Sequence, residues 1–366
     1  MKKKIHLAIF VIYSLSITFA HSQSNQNTQP LRLGIAGLSH SHLWEVISRL
    51  DRGDFEVVGV AEKNRELWNK MLQVKVNENL FFEDIEEMLD KTKPEAVIVY
   101  ESIFDHLRII EACAPRKIHV MVEKPLATNT HQAKRIAELA EQYGIMVLTN
   151  YETSWYPANH KAFDMVRNGD IGNISRIQVY DGHQGPVEIG CSPEFLAWLT
   201  DPVLNGGGAV IDFGCYGANL CTWLMKGEKP QTVYASLKQQ KPAVYPKVDD
   251  DATILLTYPH TTAVIMASWN WPKNRKDMHI YGSSGYIYQD DATAMRIYSN
   301  KEEKTMNAEK LTAPYNDAFL YLKSAVRGEI KVDDLDLASL KNNLIVVEIL
   351  EAAIKSSQTG EIITLQ

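Results

Sequence analysis

"LRLGIAGLSHSHLWEVISRL", residues 31–50, decides how this chain folds. The apolar run from Leu31 to Ala36 reads as a buried strand, Gly37 punctuates it, and Leu43 to Leu50 places apolar residues at helical spacing. A strand, a glycine turn and a helix in that order open a βαβ unit. The pattern then repeats. Strands "FEVVGVAE" (55–62), "AVIVYE" (96–101), "IHVMVEKP" (118–125) and "IMVLTN" (145–150) alternate with helices at 65–72, 83–90, 107–113 and 128–144. Residues 31–150 therefore read as a Rossmann domain, a doubly wound parallel sheet in the α/β class. From Tyr151 the order changes. Helices are expected at 157–169 and, as one piece, at 208–227, with strands at 174–182, 231–239, 251–259, 262–271, 276–290 and 294–299. Strands that follow one another through short turns predict an α+β domain, residues 151–366, with a mostly antiparallel open sheet. A last helix starts near Leu335 and should be capped by Gly360.

With 366 residues, 45% hydrophobic and 23% charged, the chain can build two cored domains. The net charge of -7 is spread along it, and no basic patch interleaves with aromatics, which argues against a nucleic-acid partner. Lys2, Lys3 and Lys4 precede an apolar run from Ile5 to Phe19 that ends among small residues near Ala20 and Ser22. That is the pattern of a secretory signal peptide, and the run is shorter than the roughly 20 residues a membrane span needs. Residues 1–22 read as a cleaved signal, 23–30 as a polar linker, and the mature chain as exported to the periplasm without a membrane span. No twin arginine is present, so export of an unfolded chain is expected. Cys113, Cys191, Cys215 and Cys221 show no CxxC or zinc spacing. Cys215 and Cys221 stand six apart, on different faces of a helix, so all four read as small buried hydrophobes.

Candidate site residues gather at predicted strand ends. A dinucleotide loop of the form GxGxxG would need glycine at 37, 39 and 42, where this chain has Gly37, Ser39 and His42. Gly37 allows the tight turn, a small Ser39 lets backbone N–H groups approach a pyrophosphate, and Leu38 and His40 complete the loop. From the residues alone the loop stays open between a cofactor turn and a plain βα turn. Glu62, closing the next strand, can accept bonds from ribose hydroxyls, which favours NAD over NADP, although Lys63 beside it weakens that preference. His40, His42 and His106 have no Cys or carboxylate at ligand spacing, so no metal is expected. Glu123 and Lys124 end a strand in "VMVEKPLATN", at the edge where open α/β sheets bind ligands. In "LNGGGAVIDFGCYGANL", Asp212 and Tyr216 stand four apart and would share one helix face. Asp249–Asp251 reads as a solvated loop.

These features together resemble the glucose-fructose oxidoreductase, inositol dehydrogenase and MocA family over nearly everything after residue 30. The resemblance rests on "GIAG" entering a helix, Glu62, "EKP" at 123–125, the glycine-led "DFGCYGAN" segment and "IYGSSGYI". Many members carry His where Tyr216 stands and Asp where Asn219 stands, and the version here resembles the glucose-fructose oxidoreductase branch. Glu101, Ser102 and Ile103 replace the family's usual Thr-Pro-Asn, while His106 is kept.

The resemblance implies a nicotinamide-dependent oxidoreductase acting on a carbohydrate, glycoside or polyol, with NAD as cofactor and a homo-oligomer, dimer or tetramer, packed through the open sheet. It also implies two alternatives: a glycosidase that uses bound NAD to oxidise, eliminate, hydrate and reduce, or a sugar-binding relative without catalysis. Gly37, Leu38, Ser39, His40, Glu62, Glu101, His106, Glu123 and Lys124 would line the cofactor. Lys124, Tyr216 and Asp212 would be catalytic. Hydride transfer from a carbinol needs a base for the hydroxyl proton and positive charge near the alkoxide, which Tyr216 and Lys124 can supply. An ammonium nearby should favour the Tyr216 phenolate. Trp155 and Trp198 are expected to stack on sugar C–H faces, and His183 to touch substrate.

Overall fold

Six apolar strands, β1 (Leu31–Ala36), β2 (Phe55–Ala61), β3 (Phe81–Phe82), β4 (Ala96–Val99), β5 (His119–Glu123) and β6 (Val147–Asn150), form the first sheet. All pair in parallel, in the order β3-β2-β1-β4-β5-β6. Five of the six β1 residues and all of β4 and β6 are buried, as strands covered on both faces must be. The strand order reverses between β1 and β4, and ligands of such sheets bind outside the strand ends at that point. The computed structural model describes residues 29–365; the expected signal peptide and nearly all of the linker lie outside them. Among the described residues, no helix is long and apolar enough to cross a membrane.

The second sheet has nine strands: β7 (Ile174–Gly182), β8 (Thr232–Lys238), β9 (Asp251–Thr257), β10 (Thr262–Ser268), β11 (Arg275–Gly282), β12 (Tyr286–Gln289), β13 (Ala294–Ser299), β14 (Glu302–Asn307) and β15 (Ile363–Thr364). They run in the order β14-β13-β12-β11-β7-β10-β9-β8-β15, antiparallel except for β7 beside β10. One face packs Ile177, Val179, Ile265, Met278 and Ile280 against the helices Gly214–Leu224 and Leu340–Thr359. The other face, which carries Tyr281, Tyr286, Tyr288 and Tyr298, is only half-buried.

Several elements differ from expectation for physical reasons. The helix expected over 43–50 is a 3₁₀ turn, Ser41–Leu43, followed by one α-turn, Trp44–Ile47. Beyond it Ser48 Oγ turns back onto Glu45 O at 3.1 Å, and Arg49 is drawn to Asp317 and the Phe319 ring. The helix expected over 208–227 breaks at Phe213, leaving Ala209–Asp212 and Gly214–Leu224. Strands β3, β14 and β15 and helices Pro193–Leu199 and Ala318–Val326 were not anticipated. The last of these packs Phe319, Tyr321 and Leu322 among the β1 residues Leu31, Leu33 and Ile35. The final helix starts at Leu340, capped by Ser339, and ends as expected at Gly360, φ 72°.

The acidic triplet corrects the sequence reading most plainly. Asp249 accepts the N–H groups of Gly208 (2.8 Å) and Val210 (2.7 Å), capping a helix distant in sequence. Gly208 permits this approach, because a Cβ there would lie 1.8 Å from Asp249 O. Asp250 is fully buried and accepts from Gln240 N, Lys241 N and Asn270 Nδ2. Neither residue belongs to a solvated loop. All four cysteines are free; Cys113, Cys215 and Cys221 are buried and Cys191 is half-buried.

Candidate active site

The loop after β1 is built around Gly37. Its φ is +82°, and a Cβ on it would lie 2.2 Å from Glu101 Cγ, so the turn requires glycine. Gly37 N–H donates to Ala61 O at 2.8 Å and His40 N–H to Tyr100 O at 3.0 Å, pinning the loop between β2 and β4. Glu62 accepts the N–H groups of Leu38 and Asn64, each at 2.8 Å. The Leu38 side chain is buried and its N–H and carbonyl are held by Glu62 and Lys70, so this residue shapes the loop rather than offering groups to a ligand. Among the described residues, nothing accepts from the Ser39 and Ser41 N–H groups. A tight turn with unclaimed N–H groups and a carboxylate closing β2 fits the diphosphate and ribose of NAD, while the extra phosphate of NADP would meet Glu62.

Two further residues expected at the cofactor stand beside this loop. Glu101 crosses over Gly37 and pairs with Arg108; burial outweighs the arginine and lifts its carboxyl to about 7. His106 is completely buried, with Nδ1 on Leu126 O at 3.1 Å, and burial lowers its imidazole to about 4. It supports the turn after β5 from behind.

Glu123 ends β5 between His42 and Asn150. His42 Nδ1 lies 2.9 Å from one carboxylate oxygen, and Asn150 Nδ2 donates to the other at 3.0 Å. Burial would raise Glu123, but His42 outweighs it and holds the acid at about 2. His40, His42 and Glu123 bring ligand atoms within 4.8 Å of one another. Spacing hid this grouping because Glu123 lies 81 residues beyond His42. His40 Nδ1 accepts the His42 N–H at 3.0 Å, so the group is already a hydrogen-bonded support beneath the turn.

Lys124 reaches across to the second domain. Its ammonium donates to Asp212 Oδ1 at 2.5 Å and to Asp212 O at 3.0 Å. Capture of that carbonyl accompanies the helix break at Phe213, so Asp212 and Tyr216 belong to two helical segments that converge on one ammonium rather than sharing a face. Trp269 Nε1 donates to Asp212 Oδ2 at 2.9 Å. Against the upward pull of burial, Lys124, His183 and Trp269 hold Asp212 at about 2. Burial works against the Lys124 charge, yet Asp212 raises its pKa above the ordinary value. The ammonium stands 5.2 Å from the centre of the Tyr216 ring.

Tyr216 itself corrects an expectation. Burial first, then Glu152, Cys215 and Asp212, push its phenol well above the ordinary range, because the Lys124 charge is engaged by Asp212. The resting residue is a neutral phenol.

A cleft of about 780 Å³ opens beside this group, lined by His183, Phe213, Glu152, Lys276, Tyr156 and Trp271 among others. His183 lies in its wall, edge-on to Phe213 at 4.9 Å. The two expected stacking tryptophans are elsewhere. Trp155 donates to Asn150 Oδ1 at 3.1 Å and packs on Tyr321, while Trp198 donates to Ser39 Oγ at 3.1 Å and covers His40. The aromatic lining comes instead from Tyr156, Phe213 and Trp271. Sequence reasoning missed Glu152 and Lys276. Glu152 stands two residues past β6, and its strand-end position was a usable signal; the charged run around Lys276 gave none.

Two family models match the chain in tandem. Residues 31–151 match the "Oxidoreductase family, NAD-binding Rossmann fold", and residues 159–288 match the "GFO/IDH/MocA C-terminal domain", together more than half of the sequence. The chain belongs to the GFO/IDH/MocA oxidoreductase family. Its first domain is thus the family's NAD-binding Rossmann fold. Among GFO/IDH/MocA relatives, the trans-1,2-dihydrobenzene-1,2-diol dehydrogenase of Xenopus tropicalis is 23% identical over 276 residues, 74% of this chain and 78% of that one. An aldose-aldose oxidoreductase from Caulobacter crescentus, solved with glycerol, has a TM-score of 0.78 at 20% identity, covering 92% of this chain and 100% of that one. An inositol dehydrogenase homolog from Azotobacter vinelandii, solved with NAD+, also has a TM-score of 0.78, at 17% identity, covering 92% and 98%.

Proposed function

We propose that this enzyme moves a hydride between NAD and a secondary hydroxyl, or the matching ketone, of a carbohydrate, glycoside or polyol. The observation that carries the reading is the convergence of Lys124, Asp212 and Tyr216 at the end of β5, beside a cleft lined by the end of β7, β11 and the segment after β6. The names of the relatives, dehydrogenases and oxidoreductases of a diol, an aldose and an inositol, support the substrate class. NAD, when bound, supplies the hydride acceptor. Lys124 places a positive charge where alkoxide character develops, Asp212 fixes that ammonium, and Tyr216 carries the proton of the substrate oxygen. The charges in the cleft are largely paired, Lys276 with Glu152, Arg275 with Asp277 and Arg296 with Asp290, which suits a neutral polyhydroxylated ligand.

Incubating the purified protein with NAD and a panel of glycosides and polyols tests this. A keto product supports it, release of an aglycone points to the NAD-dependent glycosidase, and no product points to a silent sugar-binding relative. Lys124→Met and Tyr216→Phe should each lower turnover ~10²–10⁴-fold while NAD binding is kept. Near wild-type turnover in either variant overturns the assignment.

The reading extends to the setting. The tyrosine-bearing face of the nine-stranded sheet would join copies into a dimer or tetramer, since tyrosine is enriched at protein interfaces. Export with cleavage near Ala20 or Ser22 would place the enzyme in the periplasm; the mass of the secreted form and light scattering check the two points.

A further inference from the structure

Two ammonium groups stand over the Tyr216 ring. Lys124 comes from the end of β5, its Nζ 5.2 Å from the ring centre, and Lys276 comes from β11, its Nζ 5.0 Å from the same centre. The two differ in their partners. Lys124 is tied to a buried carboxylate, Asp212, that does not line the cleft. Lys276 pairs with Glu152, which is about half exposed, lines the 780 Å³ cleft and also accepts the Tyr156 hydroxyl at 2.5 Å. Lys276 lines the same cleft. The pair therefore connects a buried phenol to the space where substrate would lie.

We propose that Lys276 and Glu152 are positioning residues that set the protonation of Tyr216, Lys276 favouring the phenolate and Glu152 the phenol. The inference rests on Tyr216 as the proton carrier. An opposite charge within ~4–6 Å lowers an acid's pKa by about 1–3 units, and a like charge raises it. Glu152 is also the foremost charged group pushing the Tyr216 phenol up after burial itself. A substrate hydroxyl that draws the Glu152 carboxylate away from Lys276 would weaken that ion pair and strengthen the field of the ammonium at the ring, so occupancy of the cleft would itself ease the proton off Tyr216. The other groups around the ring act in the background: Lys124 and Glu123 from β5, Asp212 and Cys215 from the adjoining helical turns, Tyr151 from the segment after β6, and Asp181 on β7, opposite Lys276. Asp181 is completely buried with both carboxylate oxygens unpaired, and burial holds it well above the ordinary carboxylate range, so it adds no standing charge.

The test follows the Tyr216 proton directly, on the full mature protein carrying ¹³Cζ-tyrosine, with Tyr216→Phe used to assign its NMR signal. The expected order of titration midpoints is Glu152→Gln lowest, wild type next and Lys276→Met highest, with steps of about one unit or more. The double variant should return near the wild type, because charge pairs couple, and Lys276→Arg should leave the midpoint where it is. Where the wild-type and Lys276→Met signals both stay protonated up to the unfolding pH, Glu152→Gln alone decides, and its midpoint must fall measurably below that limit. An unmoved Glu152→Gln midpoint, or a fall in Lys276→Met, overturns the inference, as does movement of both variants in one direction, which a general loosening of the site would give. Turnover of Tyr216→Phe separates the two levels. If that variant is fully active the proton-carrier role fails; if it is inactive while the midpoints stay fixed, only the Lys276–Glu152 role fails.

Discussion

At the scale of single residues, this site depends on where charge is left uncompensated. Lys124 and Asp212 neutralise each other within 2.5 Å, and Trp269 occupies the remaining Asp212 oxygen. Tyr216 is left as a phenol in a buried, mixed field, able to give a proton to a carbonyl and needing help to accept one from a carbinol. Gly37 makes the turn after β1 in the same sense, by having nothing where a side chain would collide. Its positive φ and the 2.2 Å approach to Glu101 Cγ mean that any Cβ must displace Glu101 or open the turn. Gly37→Val should therefore abolish NAD binding in a folded protein, and a calorimetric titration with unchanged affinity would reject the loop as the nucleotide site.

Among elements, the short helical segment after that turn is the most unusual. Glu45, in its first α-turn, is half-buried near Glu123; burial first and Glu123 second raise its carboxyl to about 7, against an ordinary value of 4.5. A carboxyl that stays protonated in the fold stabilises it most below the unfolded value, and stability falls as pH rises from about 4.5 through 7. Glu45→Gln should remove that loss. The melting temperature of the variant minus that of the wild type should grow by a few degrees between pH 5 and pH 8, at roughly 2–4 °C per kcal/mol for a domain of 150–250 residues; a flat difference contradicts it. The same segment shows where sequence was legible. Strands β1, β2, β4, β5 and β6 announced themselves because strands buried on both faces must be continuously apolar. β14 did not, because five of its six residues are exposed and polar edge strands carry no period. The Lys124, Asp212 and Tyr216 trio was visible as motifs. Glu123 with His42 and Lys276 with Glu152 were not, since each pair joins a strand residue to a turn far away in sequence.

Across the whole molecule, the second domain lies on the loop that follows β1 of the first. Helix Pro193–Leu199 supplies Trp198, hydrogen-bonded to Ser39, and Phe195, whose ring stands 4.8 Å from that of His40. Glu194 on the same helix pairs with Lys70, and Lys70 Nζ donates to Leu38 O at 2.9 Å. One short helix thus holds three consecutive residues of the loop, among them Ser39 with its free N–H group, and such a hold would slow the release of a seated nucleotide. Were the enzyme exported, as proposed above, retention would matter, because no cytoplasmic nicotinamide pool would be at hand. A nucleotide held through the cycle must be reduced by one substrate and reoxidised by another in place, which gives ping-pong kinetics. The purified mature protein should carry NAD(H) through desalting and turn over two carbohydrates without added nucleotide. Trp198→Ala should lose the nucleotide on the same column while remaining folded, because the indole ties the helix to Ser39. Protein that emerges free of nucleotide, works only with millimolar NAD and releases NADH each cycle would make this an ordinary dehydrogenase, with the helix a packing element alone.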